Sequence, residues 1–537
     1  MRLINWFHQK DTFKLIRGRR YAPTLFEAIL AVVFSGSFSS VPARFVWSLR
    51  AIALIAVAGI VHAVAWEALL FPGPVSPAGV CTSAVVLFLV SAGASYSFGN
   101  AMRFLNDSSD HALYGARLAR AYLGASNPTR LSGQSSAARR VTDPIAGDDF
   151  AMREYTPELQ GGPLHLINIT LNETVSGESM IEHRDRKGLE FAVGPAGITA
   201  GVRHHALWAT GEHANTKNAA AIAPIPHPPG ADPYHALADG AAEKVHAVEP
   251  LSLATWIAIS GAAVAPGLGS RTSIGLSVLL TLFNVRLGYW WDSGIAPETH
   301  AGRVPRGRAQ WLGERFAAVF PVQTHLGYEL VSRFYGPNRQ RWYLSDGGHF
   351  ENTACYELIR RRVPFIIVCD CGQDSDYGFA DVANLVRKAR TDFHAEIRFL
   401  SEGELKAGVD STLRSYLGTP ADFEGRGARP DAQDAATRPY GLLAEVTYDD
   451  GGPPSRILFV KPAIRGDEPE DVVNYARTHA DFPNESTADQ YFDEAQWESY
   501  RRLGEVIGTR LLESAGTAKE WAPQQSMAAP HTRRQAA

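Results

Sequence analysis

The sequence predicts an α/β protein, with a mostly parallel sheet flanked by helices and preceded by a two-helix transmembrane hairpin. Three observations carry that expectation. Two apolar runs stand in tandem near the start, AIALIAVAGIVHAVAWEALLF from Ala51 to Phe71 and AGVCTSAVVLFLVSAGASYSF from Ala78 to Phe98. Strand-like and helix-like patterns alternate from Trp342 to Leu400, the order that yields parallel strands joined by crossover helices. The segment WYLSDGGHFENTACYELIRRRVPFIIVCDCG, from Trp342 to Gly372, ends each of two strand-like runs on an aspartate.

Each apolar run has the roughly 20 residues that cross a hydrocarbon layer. The first holds only His62 and Glu67 as ionisable groups, and the second holds none. Pro72 to Pro77 between them is a tight breaker. Arg17, Arg19, Arg20, Arg44 and Arg50 precede the pair, and Arg103, Arg117 and Arg120 follow it. The turn carries no basic residue, so the positive-inside rule places both termini and the large downstream region in the cytoplasm of a multi-pass protein. The apolar region begins too late for a cleaved signal peptide. A buried hairpin inside a soluble fold is the alternative reading. The chain then divides into an N-terminal arm (1–50), the hairpin (51–106), a linker (107–160), an α/β region (161–420), a C-terminal α/β extension (421–515) and a disordered tail (516–537).

Composition bounds the function. A chain of 537 residues with 45% apolar residues can build a sizeable core, and a formal charge of −4 gives no reason to expect a nucleic-acid partner. Four cysteines, Cys81, Cys355, Cys369 and Cys371, do not make a disulfide framework. Cys369 and Cys371 lack a second pair that would close a metal site, and Asp370, Asp374 and Asp376 lack calcium-loop spacing. No cofactor is expected.

The elements follow in order. Pro163 to Leu171 alternates as a strand, and the Ala-, Pro- and Gly-rich stretch 214–243 reads as a mobile insertion. Thr255 to Ile259 reads as a strand leading to Ser260, and Ile274 to Trp291 as an apolar helix with a core or lipid-facing role. Phe350, Ala354 and Leu358 recur at helical spacing, and Arg360 to Arg362 with Pro364 end that helix. Pro364 to Cys369 is a buried strand, Phe379 to Arg390 a helix, and Glu396 to Leu400 a strand. Residues 442–448 and 456–462 flank a hairpin turn. Thr487 has capping-box spacing to Gln490 and starts a helix reaching Ile507.

Asp346 carries the chemistry. Ligands of parallel sheets bind beyond the carboxyl ends of the strands, where Asp346 is expected, and Gly347 and Gly348 leave its carboxylate uncovered. Such a carboxylate can take the proton of a serine hydroxyl as general base. The competing reading is a helix cap. Asp370 suits turn chemistry with Asp374 and Asp376, and His349 is a weaker triad partner.

Ser345 to Asn352, Glu357 to Arg362 and Phe365 to Asp370 together resemble the bacterial patatin-like phospholipases, and Leu282 to Gly288 and Phe482 to Gln490 resemble their membrane-anchored subgroup. The small-residue run Ala258 to Ala263 followed by Pro266 resembles a family segment too. The resemblance spans roughly Ala101 to Gly508. It implies a patatin-like fold, here incomplete, and a Ser-Asp dyad acting on membrane lipid, with Asp346-Gly347-Gly348 as the Asp-Gly-Gly motif and Asp346 as the base. The family also needs a Gly-x-Ser-x-Gly elbow and a Gly-rich oxyanion loop. The sequence contains neither. Both lie upstream in the family, which implies a start inside a longer pattern and a nucleophile-bearing segment or chain as partner. Ser260 is the in-chain substitute nucleophile, with Ala258 and Ala262 in place of the two glycines. Two expectations result: a lipid acyl hydrolase completed from outside this chain, or a non-catalytic membrane-anchored relative.

Overall fold

The computed structural model describes residues 59, 62–65, 77–99, 101–132, 144–175, 185–202, 204–208, 220–224, 246–294, 308–423, 438–486 and 492–513. Its main helices are α1 (Pro77–Gly99), α2 (Met102–Asp107), α3 (Asp110–Ala121), α4 (Leu253–Ser260), α5 (Ile274–Leu282), α6 (Arg308–Val319), α7 (Pro321–Leu330), α8 (Tyr356–Arg360), α9 (Ala380–Phe393), α10 (Glu402–Gly408), α11 (Glu470–Thr478) and α12 (Glu494–Gly508). The strands are β1 (Ile167–Asn172), β2 (Gly188–Gly194), β3 (Gly197–Ala200), β4 (His204–Trp208), β5 (Ala220–Pro224), β6 (His246–Val248), β7 (Tyr289–Asp292), β8 (Arg341–Asp346), β9 (Phe365–Cys369), β10 (Ala395–Phe399), β11 (Leu417–Gly418), β12 (Gly441–Tyr448) and β13 (Ser455–Val460).

Two compact units are present. The first contains α1, α6 and the start of α7; the second contains the rest from Arg103 on. In the first, Ala78–Ser97 of α1 is long and apolar enough to cross a membrane. Phe88, Leu89 and Val90 are exposed, and the Gln323 amide donates to the Ser95 carbonyl at 2.9 Å. The run Ala51 to Phe71 lies mostly outside the described residues. Among the described residues there is thus one membrane-length helix rather than the expected hairpin.

The second unit is α/β, but its sheets are not mostly parallel. Eight strands in the order β6-β5-β4-β3-β2-β1-β8-β7 form one sheet, antiparallel at every pairing. The other sheet runs β10-β12-β13-β9, with β11 beside β12, and is mixed. Only β13 with β9 and β11 with β12 are parallel in it. Alternation of strands and helices misleads here for a topological reason. β8 pairs with β1 and β7 in the first sheet, whereas β9 and β10 enter the second, separated by the β12–β13 hairpin. That hairpin falls where its turn predicts it.

Each sheet has its own core. In the first, Phe191, Trp256, Trp291 and Trp342 interlock, with Trp256 and Trp291 edge-on at 5.5 Å and Trp291 and Trp342 at 5.4 Å. In the second, Ile366, Leu385, Leu442, Ile457 and Phe459 are buried between sheet and helices.

Several local expectations change. Thr255 to Ile259 is helical: the Ser252 hydroxyl caps α4 at the Thr255 amide, and buried residues all round the helix leave no period to read. The apolar run 274–291 is helix only to Leu282; Asn284 turns at positive φ, and Tyr289–Asp292 then pairs with β8. Helix α8 starts at Tyr356 rather than near Phe350, because Ala354 has φ of 57° and the Glu351 carboxylate accepts from the amides of Thr353, Cys355 and Tyr356. Residues 107–160 include α3 and a buried Asp148 held by Arg130 and Asn127, so they are not a plain linker. The last helix is capped by Asp493 at the Gln496 amide; Thr487 and Gln490 lie outside the described residues. So does the insertion 214–243, apart from β5, and the tail 516–537.

Candidate functional site

The site begins where β8 ends. Asp346 stands opposite Ile169 of β1, and its amide donates to the Ala262 carbonyl at 3.4 Å. The chain then turns through a single 3-10 turn, Gly347–His349. One carboxylate oxygen of Asp346, Oδ1, accepts from the Gly348 amide at 2.7 Å. The other accepts no hydrogen bond among the described residues. Burial raises the carboxyl's pKa, and the Gly348 amide works against that rise. Asp346 is therefore both a cap and a half-buried carboxylate with one oxygen to spare. The capping of α8 falls to Glu351 instead.

The two glycines have reasons other than the expected sharp turn, since neither has positive φ. A Cβ at Gly347 would lie 2.6 Å from the Asn168 carbonyl oxygen of β1. A Cβ at Gly348 would lie 2.5 Å from Asn352 Oδ1 and 3.1 Å from Asp346 Oδ1. The first glycine permits close backbone approach, and the second leaves room beside the carboxylate.

Small residues continue around Asp346. A Cβ at Gly261 would lie 2.4 Å from the Tyr114 hydroxyl of α3. Burial raises the Tyr114 phenol's pKa, and the charge of Asp346 raises it further. Asn168 Oδ1 is buried without a partner. No sequence signal marks Tyr114 or Asn168, because both come to the site from elements far away in the chain.

Ser260 is brought near without the geometry of a nucleophile. It ends α4, and its hydroxyl donates to the Asn168 carbonyl at 2.7 Å rather than to Asp346. A serine on an elbow precedes a helix and borrows the positive N-terminal end of the dipole. Ser260 is the last residue of a helix and meets the negative end, which disfavours an oxyanion.

His349 turns away from Asp346 as well. Its Nδ1 pairs with the Ser345 hydroxyl at 2.9 Å and its Nε2 with the Ala263 carbonyl at 3.2 Å. Asn172 Nδ2 donates to the same Ser345 oxygen at 2.8 Å. The serine proton then belongs on the Nδ1 bond, and Nε2–H donates to Ala263. Burial lowers the imidazole to about 4, so it is neutral at pH 7. Ser345 is fully buried, and this chain of polar groups fastens β8 to β1 and to the α4–α5 connection. The pair sits four residues apart within the motif, and no signal in the sequence marks it as turned inward.

Beneath the turn, Glu190 of β2 is fully buried with Oε2 unpartnered, and burial holds its carboxyl protonated well above the ordinary range. Nearby Lys388 donates to the Phe350 carbonyl and lies 3.3 Å from the Phe350 ring centre; burial lowers its ammonium to about 8.

At the end of β9, Asp370 and Asp374 flank the buried Lys461 ammonium at 3.3 and 3.4 Å. Asp374 also accepts from the Gly378 and Phe379 amides, as turn chemistry predicts, while Asp376 is exposed. Cys369 and Cys371 are exposed free thiols. Among the described residues, no group of three or more His, Cys, Asp or Glu could hold a metal ion.

Comparisons with protein families, with curated proteins and with solved structures give no match to this chain.

Proposed function

We propose that this chain supplies the carboxylate half of a patatin-like lipid acyl-hydrolase centre at the cytoplasmic face of a membrane. The serine nucleophile and oxyanion loop come from a segment or chain other than this one. One observation carries the reading: Asp346 ends β8 with Oδ1 fixed by the Gly348 amide and the other oxygen unpartnered among the described residues. In that role the free oxygen takes the hydroxyl proton of the incoming serine as it attacks the acyl carbonyl, and the fixed oxygen keeps the carboxylate in register. Partial burial raises the carboxyl's proton affinity toward that of a working base.

A second reading has its own support. No side-chain hydroxyl is hydrogen-bonded to Asp346 among the described residues, as a non-catalytic, membrane-anchored protein would have it. Hydrolysis of a chromogenic fatty-acyl ester separates the two. The chain alone is expected to be inactive, with Asp346→Ala and Ser260→Ala indistinguishable from it. Joined to a segment bearing a Gly-rich loop and a Gly-x-Ser-x-Gly elbow, it is expected to hydrolyse the ester, and Asp346→Ala then abolishes turnover. Inactivity of the joined protein favours the non-catalytic reading. Activity of the chain alone that survives Asp346→Ala contradicts both.

A further inference from the structure

Helix α5 is inside out for a protein surface in water. It buries Ser277 and Thr281 while exposing Ile274, Leu279 and Leu282, and Phe283 at its C-terminal end is 75% exposed. The Ser277 hydroxyl is committed to the interior, donating to the Pro266 carbonyl at 2.6 Å and accepting from Ser332 at 2.7 Å. These bonds fix the rotation of the helix, so the apolar face cannot roll inward. Such a face exposed on a folded surface marks an interaction site rather than a packing accident.

Neighbouring elements also expose apolar residues. Asn284 Nδ2 donates to the Ser108 carbonyl at 2.8 Å, which fastens the tip of α5 to the α2–α3 junction. Phe104 on α2 and Leu113 on α3 are exposed too. Arg117, one turn beyond Leu113, and Arg271, just before α5, are exposed basic residues without a carboxylate partner among the described residues. Exposed apolar side chains on α5, α2 and α3, together with exposed arginines on α3 and beside the start of α5, suit an interface of acyl chains below and anionic headgroups above.

Helix α2, on whose far end Asn284 is fastened, follows the membrane-length helix α1 after only two residues. The chain between α4 and α5 also reaches the candidate site. Val264, 41% exposed, accepts from the Leu287 amide at 2.9 Å, and the residues just before it, Ala262 and Ala263, accept from the Asp346 amide and from His349.

We infer that the exposed face of α5, with Phe104 and Leu113, docks into the surface of an anionic phospholipid bilayer. Phe283 and Leu282 enter to acyl depth, and Arg117 and Arg271 lie at the headgroups. This inference does not depend on the chemistry proposed for Asp346, and its test reads depth, not turnover.

The test uses the full chain with Cys81, Cys369 and Cys371 replaced by Ser, reconstituted with vesicles of mixed neutral and anionic phospholipid. A spin label is attached through Phe283→Cys, and in a separate protein through Gly403→Cys on α10 as an exposed control. Collision with oxygen, which concentrates in acyl chains, is compared with collision with a water-soluble nickel chelate. The expected result is a several-fold higher oxygen-to-nickel ratio at 283 than at 403, falling when Leu279→Glu is added. Equal ratios at the two sites overturn the inference. So does shielding of position 283 from both reagents, which indicates a protein partner or a second copy on this face. Failure of the chain to float with the vesicles overturns it as well.

Discussion

At Asp346 a single amide bond separates a structural carboxylate from one with an oxygen to spare. Because burial raises the carboxyl's pKa, the folded chain holds that proton more tightly than the unfolded chain does. Stability from this group is therefore present at acid pH and is lost as pH rises through and above the ordinary carboxyl range. Asp346→Asn keeps an oxygen for the Gly348 amide and removes the charge. We expect it to be more stable than the parent at pH 8, with the difference shrinking toward pH 4. Thermal unfolding at the two pH values checks this. A variant less stable at pH 8 would mean that the carboxylate is held by more than one amide. Ser260 and His349 show the limit of reading residues singly. Both are near the motif in sequence or in space, yet each spends its hydrogen bonds elsewhere, on the Asn168 carbonyl and on Ser345. Residue type announces what a side chain can do; only the fold says which way it faces.

The junction of β1, β8 and the turn after Asp346 holds two glycines in different surroundings. Gly347 lies against the backbone of β1, whereas Gly348 lies against the exposed side chain of Asn352. Backbone cannot yield without parting the strands, and a side chain can rotate away. Gly347→Ala is thus expected to cost roughly 1–3 kcal/mol, and Gly348→Ala less than about 1 kcal/mol. Comparison of the two in denaturant unfolding tests the ranking, and equal losses would contradict it. Much of this level was legible in advance. The β12–β13 hairpin, β9, β10 and α9 fall close to where turn residues and apolar spacing predict them. The misread elements each have a cause. Leu253–Ser260 is buried on nearly every side, so period could not tell helix from strand; Ile274–Leu282 is the expected helix, but the switch at Asn284 to the strand Tyr289–Asp292 depends on a positive φ that sequence does not display. The early part of α8 was lost to Glu351, whose carboxylate holds three amides in a loop where the apolar spacing suggested a helix.

For the whole molecule, two sheets with separate cores meet at the segment that follows Asp346, and a membrane-length helix precedes them in the chain. Local order of strands and helices suggested one parallel sheet. Pairing partners far apart in sequence, β1 with β8 and β10 with β12, decided otherwise, and no local pattern records them. The strand end carrying Asp346 was legible all the same, because it depends on a local signal: an apolar run, an acid and two glycines. The proposed centre pairs Asp346 as base with an elbow serine from another segment. The most direct measurement is reaction of the full chain with a fluorophosphonate, which traps activated serines. The account predicts no labelled serine in this chain, and labelling of the elbow serine once a Gly-x-Ser-x-Gly segment is supplied. A serine of this chain that is labelled alone, at a rate that falls in Asp346→Ala, would contradict it.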